Sequence, residues 1–183
     1  CAPTLLPLAA LLGARAVLLA QGSGAMCFDE ALSGVWWQLP RLLAERLGPD
    51  FVAQHPIAQG CASTTVELRG QADVRHDLAQ ADAAALMAYL VHLGVVAGPA
   101  PALPAMACHP TPLAGTEVLK APQSGVLTYA LPPGADVAAG DLVAEVIHPV
   151  TGHTSPIVAS VGGVLYARHN LRWATTGMEI CRV

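Results

Sequence analysis

The sequence predicts an α/β segment with a mostly parallel sheet, followed by an all-β domain. Three observations carry that prediction. Up to residue 97, helical and strand patterns alternate, as they do when helices cover a sheet. Residues 98–114 are crowded with proline and read as a stiff connector. From residue 115 to residue 183 every cue is β, and the pattern runs twice.

Pro3 to Leu12 reads as a short helix, with proline in its first turn and Gly13 just past its end. Ala16 to Ala20 is an apolar run without alternation, as in a buried strand. The loop Gly22-Ser23-Gly24 lacks the glycine spacing and the lysine of phosphate-binding loops. Trp36, Leu39, Leu43 and Leu47 share one face of a predicted helix that Gly48-Pro49 stops. Ser63 to Asp73 reads as a Thr- and Val-rich strand running into a glycine-containing loop. Asp77 is placed to cap a helix over Leu78–Leu93, closed by Gly94.

Two pairs of stretches resemble one another in the second half. Ala121–Leu127 parallels Ala159–Leu165, and Gly140–Val146 parallels Gly177–Val183. Such a repeat predicts two interlocked β-units closing a small sandwich or flattened barrel, with the glycines at tight turns or strand crossings.

Composition removes several functions. Of 183 residues, 54% are hydrophobic and 12% charged, which excludes a disordered chain. Net charge is −4, Lys120 is the one lysine, and the arginines are scattered, so no basic stripe exists to bind nucleic acid. The apolar run over residues 5–20 is too short and broken to span a bilayer; it has the length of a signal core, but no basic segment precedes it and Pro7, Gly13 and Arg15 interrupt it, which disfavours that reading. Five cysteines (Cys1, Cys27, Cys61, Cys108, Cys181) form no C-x-x-C pair and read as reduced, mostly buried thiols of a cytoplasmic protein. The first residue is Cys rather than Met, and the expectation is a piece of a larger chain.

One carboxylate, Glu67, falls near the exit of the Ser63–Asp73 segment. Function in open α/β sheets gathers at the carboxyl ends of strands, and a rigidly held acid beside an open loop suits proton transfer. Against this, most glutamates on strands are simply solvated. His148 and His153 flank the link between the two β repeats and could ligate a metal, although histidines on a turn are usually solvated too.

The β repeat resembles the barrel-sandwich fold of biotinyl and lipoyl carrier domains. Those carry a lysine on the hairpin between the halves; here that hairpin is His148-Pro149-Val150-Thr151-Gly152-His153, and Lys120 lies elsewhere. A swinging-arm carrier is therefore disfavoured on chemistry, and a mass increase on Lys120 is not expected.

Taken in order, three features resemble the succinylglutamate desuccinylase/aspartoacylase family of zinc-dependent deacylases, which have a carboxypeptidase-like fold. They are Thr65-Val66-Glu67-Leu68-Arg69-Gly70-Gln71-Ala72-Asp73-Val74 with the Ala-rich helix after it, the proline-rich crossover, and the β tail from Ala121-Pro122-Gln123-Ser124-Gly125 to Gly163-Val164-Leu165-Tyr166-Ala167. The resemblance implies a C-terminal part of an α/β catalytic domain over 1–97, a linker over 98–114, and an unlipoylated barrel-sandwich domain over 115–183. It implies Glu67 as general base and acid in hydrolysis of N-acyl amino acids or similar small acyl amides; Arg69 could bind the carboxylate of such an acidic substrate, although a surface or structural ion pair is the commoner role for it. In the family zinc is held by an H-x-x-E pair and a later His. None of the seven histidines here has Glu three residues on, so no metal is expected to bind this chain and the chain alone is expected to be inactive. Neither nucleic acid nor membrane is an expected partner, and a homo-oligomer is allowed. The alternative is a non-catalytic pseudoenzyme or an assembly module.

Overall fold

A computed structural model describes residues 2–20 and 28–183. The chain divides into two compact units, 1–109 and 110–183. The Gly22-Ser23-Gly24 loop, Cys1 and Cys27 lie outside the described residues.

The first unit is helical. α1 (Ala2–Leu12) runs with Pro7 inside it and ends at Gly13, whose φ of 64° lets the chain leave in the left-handed conformation. A two-residue strand, β1 (Leu18–Leu19), occupies the middle of the apolar run over 16–20. α2 spans Phe28–Leu47, eight residues longer at its start than the leucine spacing predicts, and carries Pro40 within it. α3 (Pro49–Gln54) follows after Gly48, with proline in its first turn, so the Gly-Pro step both ends one helix and starts the next. α4 covers His76–His92. It packs on α1, burying Ala85 and Tyr89 of α4 and Leu8 and Ala10 of α1, and the Tyr89 hydroxyl donates to the Thr4 carbonyl at 2.9 Å.

Two expectations fail here. The helix α4 is not capped by Asp77: Arg75 holds the cap position in extended conformation, and the Asp77 carboxylate accepts from Arg75 Nε and Nη2 at 3.0 and 2.6 Å. Among the described residues Ser63–Asp73 contributes no strand, and the mostly parallel sheet is absent from them. Thr and Val favour extended backbone, but a strand exists only where a neighbour supplies its hydrogen bonds.

The second unit is all antiparallel. After β2 (Thr111–Pro112) and a 3-10 turn (Leu113–Gly115) come β3 (Val118–Lys120), β4 (Gly125–Tyr129), β5 (Asp136–Val137), β6 (Leu142–Ile147), β7 (Thr154–Val158), β8 (Gly163–Val164), β9 (Ala167–Arg168), β10 (Trp173–Ala174) and β11 (Glu179–Arg182). They form sheets ordered β10-β4-β6-β7, β3-β11-β9 and β5-β8, which do not close into a barrel.

The sequence repeat reappears as a repeat of bonds. Gly140 N donates to Ala159 O at 2.8 Å, and Gly177 N to Ala121 O at 2.8 Å. In return Ala159 N donates to Asp141 O at 3.0 Å and Ala121 N to Met178 O at 2.9 Å. Each repeat thus closes its turn on the other repeat's alanine. The strand pairs match as well: Trp173↔Val126 and Ala174↔Gly125 correspond to Asp136↔Val164 and Val137↔Gly163. Even the irregularity is shared, between Leu142 and Ala144 in one copy and between Glu179 and Cys181 in the other. Gly140 and Gly177 both have positive φ, 96° and 81°, the conformation a side chain would strain at these turns.

The core follows the same correspondence. Leu127 and Leu165, Val143 and Ile180, Ala144 and Cys181, and Val146 and Val183 are equivalent pairs, all buried. Leu165→Ala is expected to cost about 2–5 kcal/mol, and Leu127→Ala a similar amount, because both side chains are enclosed on every side. Denaturant titration of the second unit checks this; a loss below about 1 kcal/mol would mean that the core relaxes into the gap.

The cysteine at the equivalent of Ala144 behaves as a small apolar residue. Burial pushes the Cys181 thiol up to about 11, and burial likewise pushes Tyr129 up to about 12. The Tyr129 hydroxyl donates to Ile180 O at 2.8 Å, and the Arg168 guanidinium lies over its ring at 4.7 Å. Both groups are held protonated more firmly folded than unfolded. Their contribution is complete below the ordinary thiol and phenol values and is lost as pH rises toward 11 and 12. Stability of this unit is therefore expected to fall with rising pH above about 9. Cys181→Ala combined with Tyr129→Phe should flatten that slope, as measured by denaturant midpoints across alkaline pH.

Candidate active site

Residues 64–68 are exposed, and the Glu67 carboxylate carries no hydrogen bond or ion pair among the described residues. Among the described residues no parallel strand carries it.

Immediately after Glu67 the chain is pinned. Arg69 has φ 46°, the single positive value at a non-glycine among the described residues. A side chain there costs on the order of 1 kcal/mol, so surrounding bonds must impose it. Two sets of bonds do so. Asp73 Oδ2 accepts from Gly70 N at 2.9 Å, while Asp73 N donates to Gly70 O at 2.9 Å and Val74 N to Ala72 O at 3.0 Å, which winds residues 70–74 into a tight turn. The Arg69 guanidinium then reaches the second turn of α4, Nη1 donating to Asp82 Oδ2 at 2.8 Å and Nη2 to Asp82 Oδ1 at 2.6 Å.

This fork-on-fork pair dominates the local electrostatics. Its hydrogen bonds hold the Asp82 carboxyl below the usual carboxylate range and raise the Arg69 guanidinium further. Asp82 is the more enclosed partner, its side chain 14% exposed against 37% for Arg69. Because the Asp82 value is depressed, the pair's support is present above the ordinary carboxylate value and is lost as pH falls through the lowered one. The residue singled out as a substrate contact thus has both terminal nitrogens engaged inside the chain. Asp82 was not among the sequence's candidate residues; an aspartate in an Ala-rich helix thirteen residues from an arginine carries no local sign of a pair.

The histidines do not assemble a metal site. Among the described residues no three His, Cys, Asp or Glu side chains lie where they could hold an ion, so the residues present do not fit the zinc that the family likeness implies. His148 Nδ1 instead accepts from the amides of Val150 and Thr151 at 3.4 and 3.3 Å, and His148 N donates to His153 O at 2.8 Å, closing the hairpin between β6 and β7. His55 stacks on Phe51, its Nδ1 3.0 Å from the Phe51 carbonyl. Lys120 is exposed at the end of β3, away from that hairpin in sequence and in strand order. No helix among the described residues is long and apolar enough to cross a membrane.

Solved structures share this fold. A protein assigned to the succinylglutamate desuccinylase/aspartoacylase family from Shewanella frigidimarina matches at a TM-score of 0.80 and 22% identity, over 98% of this chain and 47% of its own. A family protein from Shewanella amazonensis matches at 0.75 and 23%, over 96% and 47%. The product-bound ectoine utilization protein EutE (DoeB) from Ruegeria pomeroyi matches at 0.57 and 22%, over 74% and 40%. The chain therefore has the fold of succinylglutamate desuccinylase/aspartoacylase proteins across nearly its whole length, and spans about half the length of the Shewanella proteins it matches. No protein-family model matches the sequence, and no curated protein does.

Proposed function

We propose that this chain supplies the proton-transfer part of a metal-dependent amide hydrolase acting on N-acyl amino acids or similar small acyl amides. The observation that carries the reading is the fold match over 98% of the chain to proteins of a deacylase family, with an unpaired carboxylate, Glu67, standing on the exposed segment ahead of the pinned turn. Glu67 takes the proton of the attacking water as it adds to the amide carbonyl, then delivers it to the departing amine. The carboxylate is free for this among the described residues, none of which engages it. Arg69 is the proposed neighbour of an acidic substrate, subject to its engagement with Asp82. Zinc belongs to the whole enzyme in this reading, and its ligands come from polypeptide other than the residues described here.

The all-β domain, 115–183 after a linker over 98–114, is proposed as a barrel-sandwich module without a swinging arm, supported by the reciprocal bonds between its repeats. The proposed compartment is the cytoplasm.

Metal analysis tests the division of labour. Purified 1–183 is expected to retain no stoichiometric zinc and to release no amine from N-acyl amino acids. Both are expected to appear once the chain is united with a segment carrying an H-x-x-E pair and a later His. One tightly held zinc per isolated chain would contradict the assignment. A united protein that binds zinc yet hydrolyses nothing would favour a pseudoenzyme or assembly module.

A further inference from the structure

We propose that α4 carries a second packing face, beside the one that meets α1, and that this face is a docking surface for an apolar, mostly parallel β-sheet in the part of the enzyme outside this chain. The surface rests on the deacylase reading only in taking the rest of that enzyme as the occupant, and it needs no role for Glu67.

The helix uses one stripe already: Leu78, Asp82, Ala85 and Tyr89 follow helical spacing on the side that is buried or half-buried. A second stripe runs beside it through Ala79, Ala83, Leu86 and Leu90, with Met87 at its margin. It holds no charged residue, since Asp77 and Asp82 fall elsewhere around the helix. Yet Leu86 is 47% exposed, Met87 53% and Leu90 36%. A helix apolar on two sides is suited to being covered on both. The first unit is also short of a core: Leu8, Ala10, Ala85 and Tyr89 are its buried apolar side chains among the described residues, against fourteen in the second unit. Four such residues are far too few to hold up a unit of this length, so the missing burial comes from outside it. Helices of α/β proteins bury their apolar stripes on a sheet, and the alanines let its strands approach closely. The first unit's described strand is the two-residue β1, which supplies no such sheet. A second copy of this chain offers none either among its described residues. The rest of the enzyme is the polypeptide left to do so: the Shewanella proteins match this fold with 47% of their chains and have the other half to place against it.

Met87 reports on this face without any substitution. Its oxidation by hydrogen peroxide, followed by peptide mass spectrometry against free methionine in the same solution, is expected to be at least about tenfold slower in the united protein than in isolated 1–183. Equal rates in the two would overturn the proposal. So would protection in isolated 1–183 that grows with its own concentration, because a second copy would then be the occupant. Leu86→Glu combined with Leu90→Glu is expected to leave the Tm of isolated 1–183 within about 2 °C, both side chains being exposed there, and to lower that of the united protein by about 10 °C. A united protein indifferent to the double change would also overturn the docking. The two readings fail separately. A united protein that shields Met87 and hydrolyses nothing upholds the docking while the deacylase reading falls; an active, zinc-loaded protein with Met87 unshielded overturns the docking alone.

Discussion

Gly125→Ala is expected to destabilise the second unit by about 3 kcal/mol, more than any other single added methyl group in it. A Cβ at this position would overlap the backbone carbonyl of Ile147 on the neighbouring strand β6 and crowd Val146 Cγ1 at 3.0 Å. A carbonyl in a ladder cannot rotate away as a side chain can. Relief requires β4 and β6 to separate, and β4 is the strand that joins β10 to β6 in the larger sheet. Gly163 occupies the matching place in the other repeat and serves as the control. Its added Cβ would meet Val183 Cγ1 at 3.0 Å, a side-chain methyl that can shift by a few tenths of an ångström where a ladder carbonyl cannot. Gly163→Ala is expected to cost about 1 kcal/mol. For a unit of this size the first change lowers Tm by on the order of 15 °C and the second by about 5 °C, read by thermal melting. Equal losses would show that the two repeats tolerate strain alike.

The second large effect is chemical. Glu67→Gln keeps the size and hydrogen-bonding reach of the side chain and removes its capacity to accept a proton. Loss of a general base of this kind lowers kcat by about 10²–10⁴. KM should change little, because the carboxylate engages the attacking water and the departing amine rather than a fixed group of the substrate. Stability should be unchanged as well: Glu67 is exposed and unpaired, so its replacement removes no bond within the described residues. A variant that folds like the parent and fails only in turnover separates the catalytic role from a structural one.

Particular residues show why some of this was legible beforehand and some was not. The twofold β repeat could be read because its signals are local and doubled: a glycine that must take positive φ followed by a buried apolar run, as at Gly140 with Val143 and Gly177 with Ile180. The end of α1 at Gly13 and the closure of α4 before Gly94 were visible for the same reason. The start of α2 was not, since residues 28–35 carry no leucine stripe of their own, and Pro40 costs the helix a backbone donor without ending it. The strand expected around Glu67 is not among the described strands, and strand propensity states one segment's preference without fixing its place in a sheet. Asp77 beside a helix start looks like a cap, and only the position of Arg75 shows that its carboxylate is used sideways. For the candidate site, Glu67 itself could be singled out by residue type and setting, but the pair that holds its loop joins residues thirteen apart through side-chain geometry that no spacing rule encodes.

The most direct measurement of the central claim is the rate of amine release from an N-acyl amino acid by the united, zinc-loaded enzyme carrying Glu67→Gln, compared with its parent. A fall of at least about a hundredfold in kcat at unchanged zinc content is the predicted result. Parent-like turnover by the variant would contradict the assignment of Glu67 as the base.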